Sequence, residues 1–125
     1  GLADQFASLG ADLERIDRKV KREIIEKIAL PAERTWVNSD RTQQALRTLL
    51  LFSAKESGYK ALFPLTKKYM GFKDLFVRWD DDHQSFIATL LVDLNDQHRA
   101  GDLILIQSVI QEPYILTCAI LPKEE

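Results

Sequence analysis

With 125 residues, 46% apolar and 29% charged, the chain holds enough apolar sequence for one hydrophobic core, too little for two and too much for a disordered segment. No apolar run is long enough to span a bilayer, and the single cysteine, Cys118, excludes an intrachain disulfide and Cys-cluster metal sites. The formal charge of −2 conceals a sorting: residues 1–40 carry 7 Lys/Arg against 8 Asp/Glu, residues 41–78 carry 8 against 2, and residues 79–125 carry 2 against 9.

Such sorting is either a basic surface that meets an anionic partner or two layers that attract each other. The N-terminus lacks the apolar stretch of a signal peptide, so the chain reads as cytoplasmic with no membrane partner. Gly1 in place of Met is compatible with a processed end or with a domain cut from a longer protein.

Leu2, Phe6, Leu9, Leu13, Ile16 and Val20 are spaced 4-3-4-3-4, and Ile24 and Ile28 extend the row, which predicts a helix ending at Pro31. Gly10 is its weak point, so one bent helix or two short ones fit equally. Arg15, Arg18, Lys19 and Arg22 line the opposite face. Trp36 is read as a core anchor rather than a base stacker. Asp40 followed by Gln43 fits a capping box for a second helix that Gly58 ends, and a short third helix is expected from Pro64 to just before Gly71.

From Phe72 the apolar period changes to two, predicting strands near 73–79, 85–94, 103–110 and 114–121 joined by turns too short for parallel crossovers. The expected fold is one α+β domain: two or three N-terminal helices (residues 1–71) packed on a C-terminal four-stranded antiparallel meander (residues 72–125). Both faces of that sheet are apolar in sequence. Helices on one face would leave the other for a partner, so self-association or a protein partner is expected.

His83 and His98 flank the second strand, about 35 Å apart at 3.3 Å per residue, and cannot share a metal site within one chain. Asp80, Asp81, Asp82 and His83 read as a solubilising turn, and no metal site and no cofactor are assigned. Ser85, Ser108 and Thr117 lack a nucleophile setting, and Cys118 reads as an inert core thiol. A histidine beside an arginine, His98 with Arg99, would suit phosphodiester cleavage, although a plain surface loop explains them as well. Arg47, Lys55, Lys60, Lys67, Lys68 and Lys73, interleaved with Phe52, Tyr59, Phe63, Tyr69 and Phe72, are the candidate surface for nucleic acid or another polyanion.

With no convergent catalytic set, the sequence favours a non-enzymatic interaction or regulatory module that self-associates through the apolar sheet face or the helical seam. The alternative is a small nucleic-acid-binding protein using the basic 41–78 region. Its element order is similar to that of compact RelE-like ribonucleases, which would make His98 and Arg99 catalytic.

Overall fold

The computed structural model describes residues 6–19 and 21–122. Its elements are β1 (Phe6–Arg15), α1 (Arg22–Ile28), α2 (Pro31–Asn38), a 3-10 turn (Arg41–Gln43), α3 (Gln44–Thr66), a second 3-10 turn (Phe72–Asp74), β2 (Leu75–Asp80), β3 (Ser85–Leu90), β4 (Leu103–Gln111) and β5 (Tyr114–Pro122). The strands form one antiparallel sheet in the order β1-β5-β4-β3-β2, with α3 laid across one face. The α+β class and the meander are as expected; the sheet has five strands rather than four.

The extra strand corrects the N-terminal helix and, with it, the division at residue 71. A step of four keeps a residue on one helix face, but it also keeps it on one strand face, so Leu9 and Leu13 fit both periods. Both project from the uncovered face of β1, 51% and 59% exposed. The odd steps that argued for a helix fall at irregularities: a register shift between Phe6 and Ser8, and the end of the strand at Arg15. Leu2 and Val20 lie outside the described residues. Ile24 and Ile28 do belong to a helix, the short α1, and Pro31 begins α2 instead of merely ending its predecessor.

Asp40 caps the 3-10 turn, its Oδ1 accepting from the Thr42 amide at 3.0 Å. From there α3 runs 23 residues, straight through Gly58 and Pro64. A Cβ at Gly58 would lie 2.7 Å from Leu75 Cδ2, so this glycine serves close packing under β2 and does not end the helix. Pro64 sits in the last turn, which closes at Lys67 in the left-handed region (φ 54°). The strand expected to reach residue 94 stops at Leu90. Residues 91–102 form a loop tied by Gly101 N–H to Leu90 O (2.7 Å) and Leu94 N–H to His98 O (2.8 Å).

The core fills the space between α3 and the sheet: Leu49, Leu51, Ala54, Ala61 and Leu62 meet Leu75, Phe86, Ile104, Ile106, Ile115 and Ala119, all buried. Trp36, on α2, packs at the rim with its ring centroid 5.7 Å from Phe86 and 6.0 Å from Trp79. On the other face Leu9, Leu13, Leu105, Val109 and Leu116 are each more than 40% exposed. No helix among the described residues is long and apolar enough to cross a membrane.

Candidate active site

Alternation along β1 sends Leu9, Ala11 and Leu13 outward and Gly10, Asp12 and Glu14 toward α3. Gly10 is what brings the two elements together. An ideal Cβ there would meet Ser57 O at 2.2 Å and Ala61 N at 2.4 Å, so the strand lies directly on the helix backbone. One pleat further on, Asp12 faces Glu56 and Lys60, which share a helix face at i, i+4.

Asp12 is 8% exposed; its Oδ1 accepts from Lys60 Nζ at 3.0 Å, while its Oδ2 is buried without a partner. The Glu56 carboxyl is held above its ordinary pKa, first by burial, then by the charges of Asp12 and Glu14, with Lys60 opposing. The Lys60 ammonium is pushed up by its hydrogen bond to Asp12. Glu14 pairs with Arg18, whose guanidinium lies 4.9 Å from the centre of the Phe52 ring. Behind the site, Ser53 and Thr117 share a buried hydroxyl contact of 2.8 Å, and Thr117 Oγ1 donates to Ser53 O at 2.9 Å, fastening β5 to α3.

A buried acceptor without a donor beside a carboxyl group that resists ionisation is a site short of positive charge. Among the described residues no three His, Cys, Asp or Glu side chains converge to complete a metal shell. Two carboxylates with further oxygens supplied by a phosphate ligand and water are the usual holding of Mg²⁺, and Asp12 and Glu56 fit that donor set. Metal and proton compete for Glu56. Mg²⁺ at a hundredfold excess over its Kd should stabilise the fold by about 2.7 kcal/mol near neutral pH, and the gain should fade as pH falls through the raised pKa of Glu56. In Glu56→Gln the metal-dependent shift should vanish, while the metal-free melting temperature at neutral pH should hold or rise, because ionising an acid with a raised folded pKa destabilises the fold. Thermal melts with and without Mg²⁺ across pH check all three outcomes.

A pocket of about 190 Å³ opens beside Glu56, lined by Lys55, Tyr59, Tyr69, Met70, Phe72 and Leu75. Its lining is mostly apolar and aromatic.

The polyanion candidates do not form one surface. Lys60 belongs to the acidic site. Lys55 is 2% exposed and paired with Glu33 at 2.8 Å, so it presents no charge outward, and burial pulls its pKa down against the pull of Glu33. Arg47 is spent on Trp36 O and Ser39 Oγ, each at 2.7 Å, and stacks on the Trp36 ring. Lys67 caps α3, and Lys67, Lys68 and Lys73 are exposed. His98 and Arg99 lie in the 91–102 loop. Arg99 is 3.8 Å from Asp93, and His98 lines a separate cavity of about 470 Å³ with Leu62, Leu65 and Asp102. His83 pairs with Asp80 at 2.8 Å in the β2–β3 turn, well away from His98 at the other end of β3. Cys118 is half-buried on the uncovered sheet face.

Asp12, Glu14 and Glu56 were absent from the sequence-derived candidates. The signal was present as the alternation Leu9, Gly10, Ala11, Asp12, Leu13, Glu14, and as the acid and base of Glu56 and Lys60 one helical turn apart.

Residues 8–119 match the family model of the 4'-phosphopantetheinyl transferase superfamily. The chain is 36% identical over 99 residues to the 4'-phosphopantetheinyl transferase PptT of Mycobacterium tuberculosis, covering 74% of this chain and 42% of that protein. It is 35% identical over 96 residues to Npt of Nocardia iowensis, covering 70% and 42%. The chain thus spans about two fifths of the length of the curated relatives it matches. In structure it is similar to the holo-[acyl-carrier-protein] synthase of Thermotoga maritima (TM-score 0.71, 14% identity, covering 96% of this chain and 66% of that one). It is also similar to that of Helicobacter pylori in complex with coenzyme A (TM-score 0.67, 17% identity, covering 92% and 99%). These likenesses replace both the regulatory-module reading and the nucleic-acid or RelE-like ribonuclease alternative: the chain belongs to the 4'-phosphopantetheinyl transferase superfamily.

Proposed function

We propose that this chain carries a transfer site that moves the 4'-phosphopantetheinyl arm of coenzyme A onto a hydroxyl of an acyl-carrier protein, leaving 3',5'-ADP. The observation that carries this reading is the unpartnered, buried Oδ2 of Asp12 facing Glu56 and Lys60 across the Gly10 contact. A pyrophosphate donor is polyanionic, and breaking its P–O bond gathers charge on the departing phosphate. Asp12 and Glu56 are the residues that would hold a divalent cation; when bound, such an ion supplies Lewis-acid stabilisation of that charge. Lys60, about half exposed at the mouth of the site, adds a fixed cation beside the phosphates. The mostly apolar pocket next to Glu56 suits the thin pantetheine chain. Lys19, exposed just after the Arg15–Asp17 and Arg18–Glu14 pairs, offers the carrier protein a cation at the rim of the site.

The test is incubation with coenzyme A, Mg²⁺ and an apo carrier protein, followed by mass spectrometry. One added arm on the carrier is expected. A carrier left unmodified here, yet modified by an authentic transferase, would sink the proposal.

The exposed apolar row of Leu9, Leu13, Leu105, Val109 and Leu116 supports a second part of the same proposal, that a second copy of this chain covers the open sheet face. Light scattering should show an oligomer that Leu105→Glu with Leu116→Glu dissociates. A wild-type monomer at high concentration would contradict it.

A further inference from the structure

We infer that Lys55 is a positioning residue for the coenzyme A arm, its buried ammonium pinning the Tyr69–Phe72 wall of the pocket that opens beside Glu56. The inference rests on the transfer reading above and deepens it. Lys55 Nζ donates to three acceptors on three separate segments: Ile28 O at the end of α1 (2.7 Å), Glu33 Oε1 on α2 (2.8 Å) and Phe72 O on the second 3-10 turn (2.7 Å). That uses every proton an ammonium has. Glu33, 1% exposed, also accepts from Leu30 N–H and Val77 N–H, each at 2.7 Å. The ammonium therefore has no proton left for a ligand and Glu33 is sealed from solvent, so the effect of the pair on the site is mechanical.

An apolar pair of similar volume could stabilise such a position as well as a buried ion pair does. What the ion pair adds is direction, because each N–H fixes where one carbonyl lies. The wall needs fixing. Gly71–Asp74 is a single turn, closed by Gly71 N–H to Asp74 Oδ2 (2.9 Å) and Asp74 N–H to Gly71 O (3.1 Å), with Phe72 stacked on Phe52 at 5.8 Å. Lys55, one residue before Glu56, ties the backbone of this turn to α3 by a hydrogen bond, beside the stacking of Phe72 on Phe52. Both sides of the pocket are thus held from one position. A loosened wall would lose contacts with the arm and none with the nucleotide.

Lys55→Met keeps the stem and removes the ammonium. Binding of coenzyme A should weaken at least about tenfold, while binding of 3',5'-ADP, which lacks the arm, should stay within about twofold. Amide exchange at Gly71 and Asp74 should rise at least about tenfold relative to the β4 and β5 amides. Equal losses for both ligands, unchanged coenzyme A binding, or a uniform rise in exchange would each overturn the inference in favour of a general structural role. If Lys55→Met does not fold because Glu33 is left as an unpaired buried charge, Lys55→Met with Glu33→Gln removes that charge and should show the same pattern. If the wild type binds neither ligand, the transfer reading fails, and the exchange measurement still decides whether Lys55 pins the wall.

Discussion

Gly10→Ala is expected to be the most damaging single-methyl addition in this molecule, lowering stability by about 3 kcal/mol or more. The methyl would stand 2.2 Å from Ser57 O and 2.4 Å from Ala61 N, and both are backbone atoms of α3. A side chain can turn aside; a helix backbone packed on both flanks cannot. The helix would have to lift from β1, opening the buried contacts of Ala54, Ala61 and Leu62 and drawing Asp12 away from Lys60. At this chain length the cost corresponds to a fall in melting temperature on the order of 10 °C. Gly71→Ala is the matched control, because a Cβ there meets nothing closer than 3.5 Å. A Gly10→Ala melt within about 2 °C of wild type would show that β1 does not rest on α3 as described.

Asp12→Asn and Glu56→Gln should each lower phosphopantetheinyl transfer by on the order of 10³-fold while leaving the fold intact. Each exchange keeps shape and removes a negative charge. Asparagine at position 12 can still accept from Lys60, so packing is preserved, but the second oxygen that lacks a partner becomes an amide nitrogen. Glutamine at position 56 cannot ionise, whatever Asp12 and Glu14 impose. The two losses should not add, because both carboxylates serve one ion, and the double variant should be about as inactive as either single one. Steady-state transfer to an apo carrier protein measures this. Retention of wild-type kcat in either variant would remove that carboxylate from the site. Lys60→Met should cost less, about tenfold to a hundredfold, since Lys60 is half exposed and its charge is partly screened.

Much of the framework was legible in the sequence because its signals are local. The strands from Leu75 onward are runs of β-branched, aromatic and other apolar residues bounded by polar connections, and their observed limits differ from expectation mainly where the 91–102 loop replaces the end of one strand. The apolar second face was legible for the same reason, since strand parity assigns Leu105 and Leu116 to it without reference to any other element. The N-terminal strand was hidden by arithmetic. Leu9 and Leu13, four apart, satisfy both periods, and Gly10 looked like a flaw in a helix when it is the point of contact between strand and helix. Gly58 and Pro64 misled similarly, for packing under Leu75 and a place in the last helical turn give them uses other than ending a segment.

What the sequence determined by itself was the α+β class, the C-terminal meander and its apolar second face, all of which follow from periodicity within a few residues. What only the tertiary structure decided was charge. Lys55, Lys60 and Arg47 look alike in a basic segment, yet one is sealed against Glu33, one faces Asp12 and one is folded onto Trp36. The partners lie 22, 48 and 11 residues away along the chain. A charge acts through what stands within a few ångströms of it and through how much water is excluded there. Both are set by the docking of β1 and α2 on α3, and no window of sequence contains them.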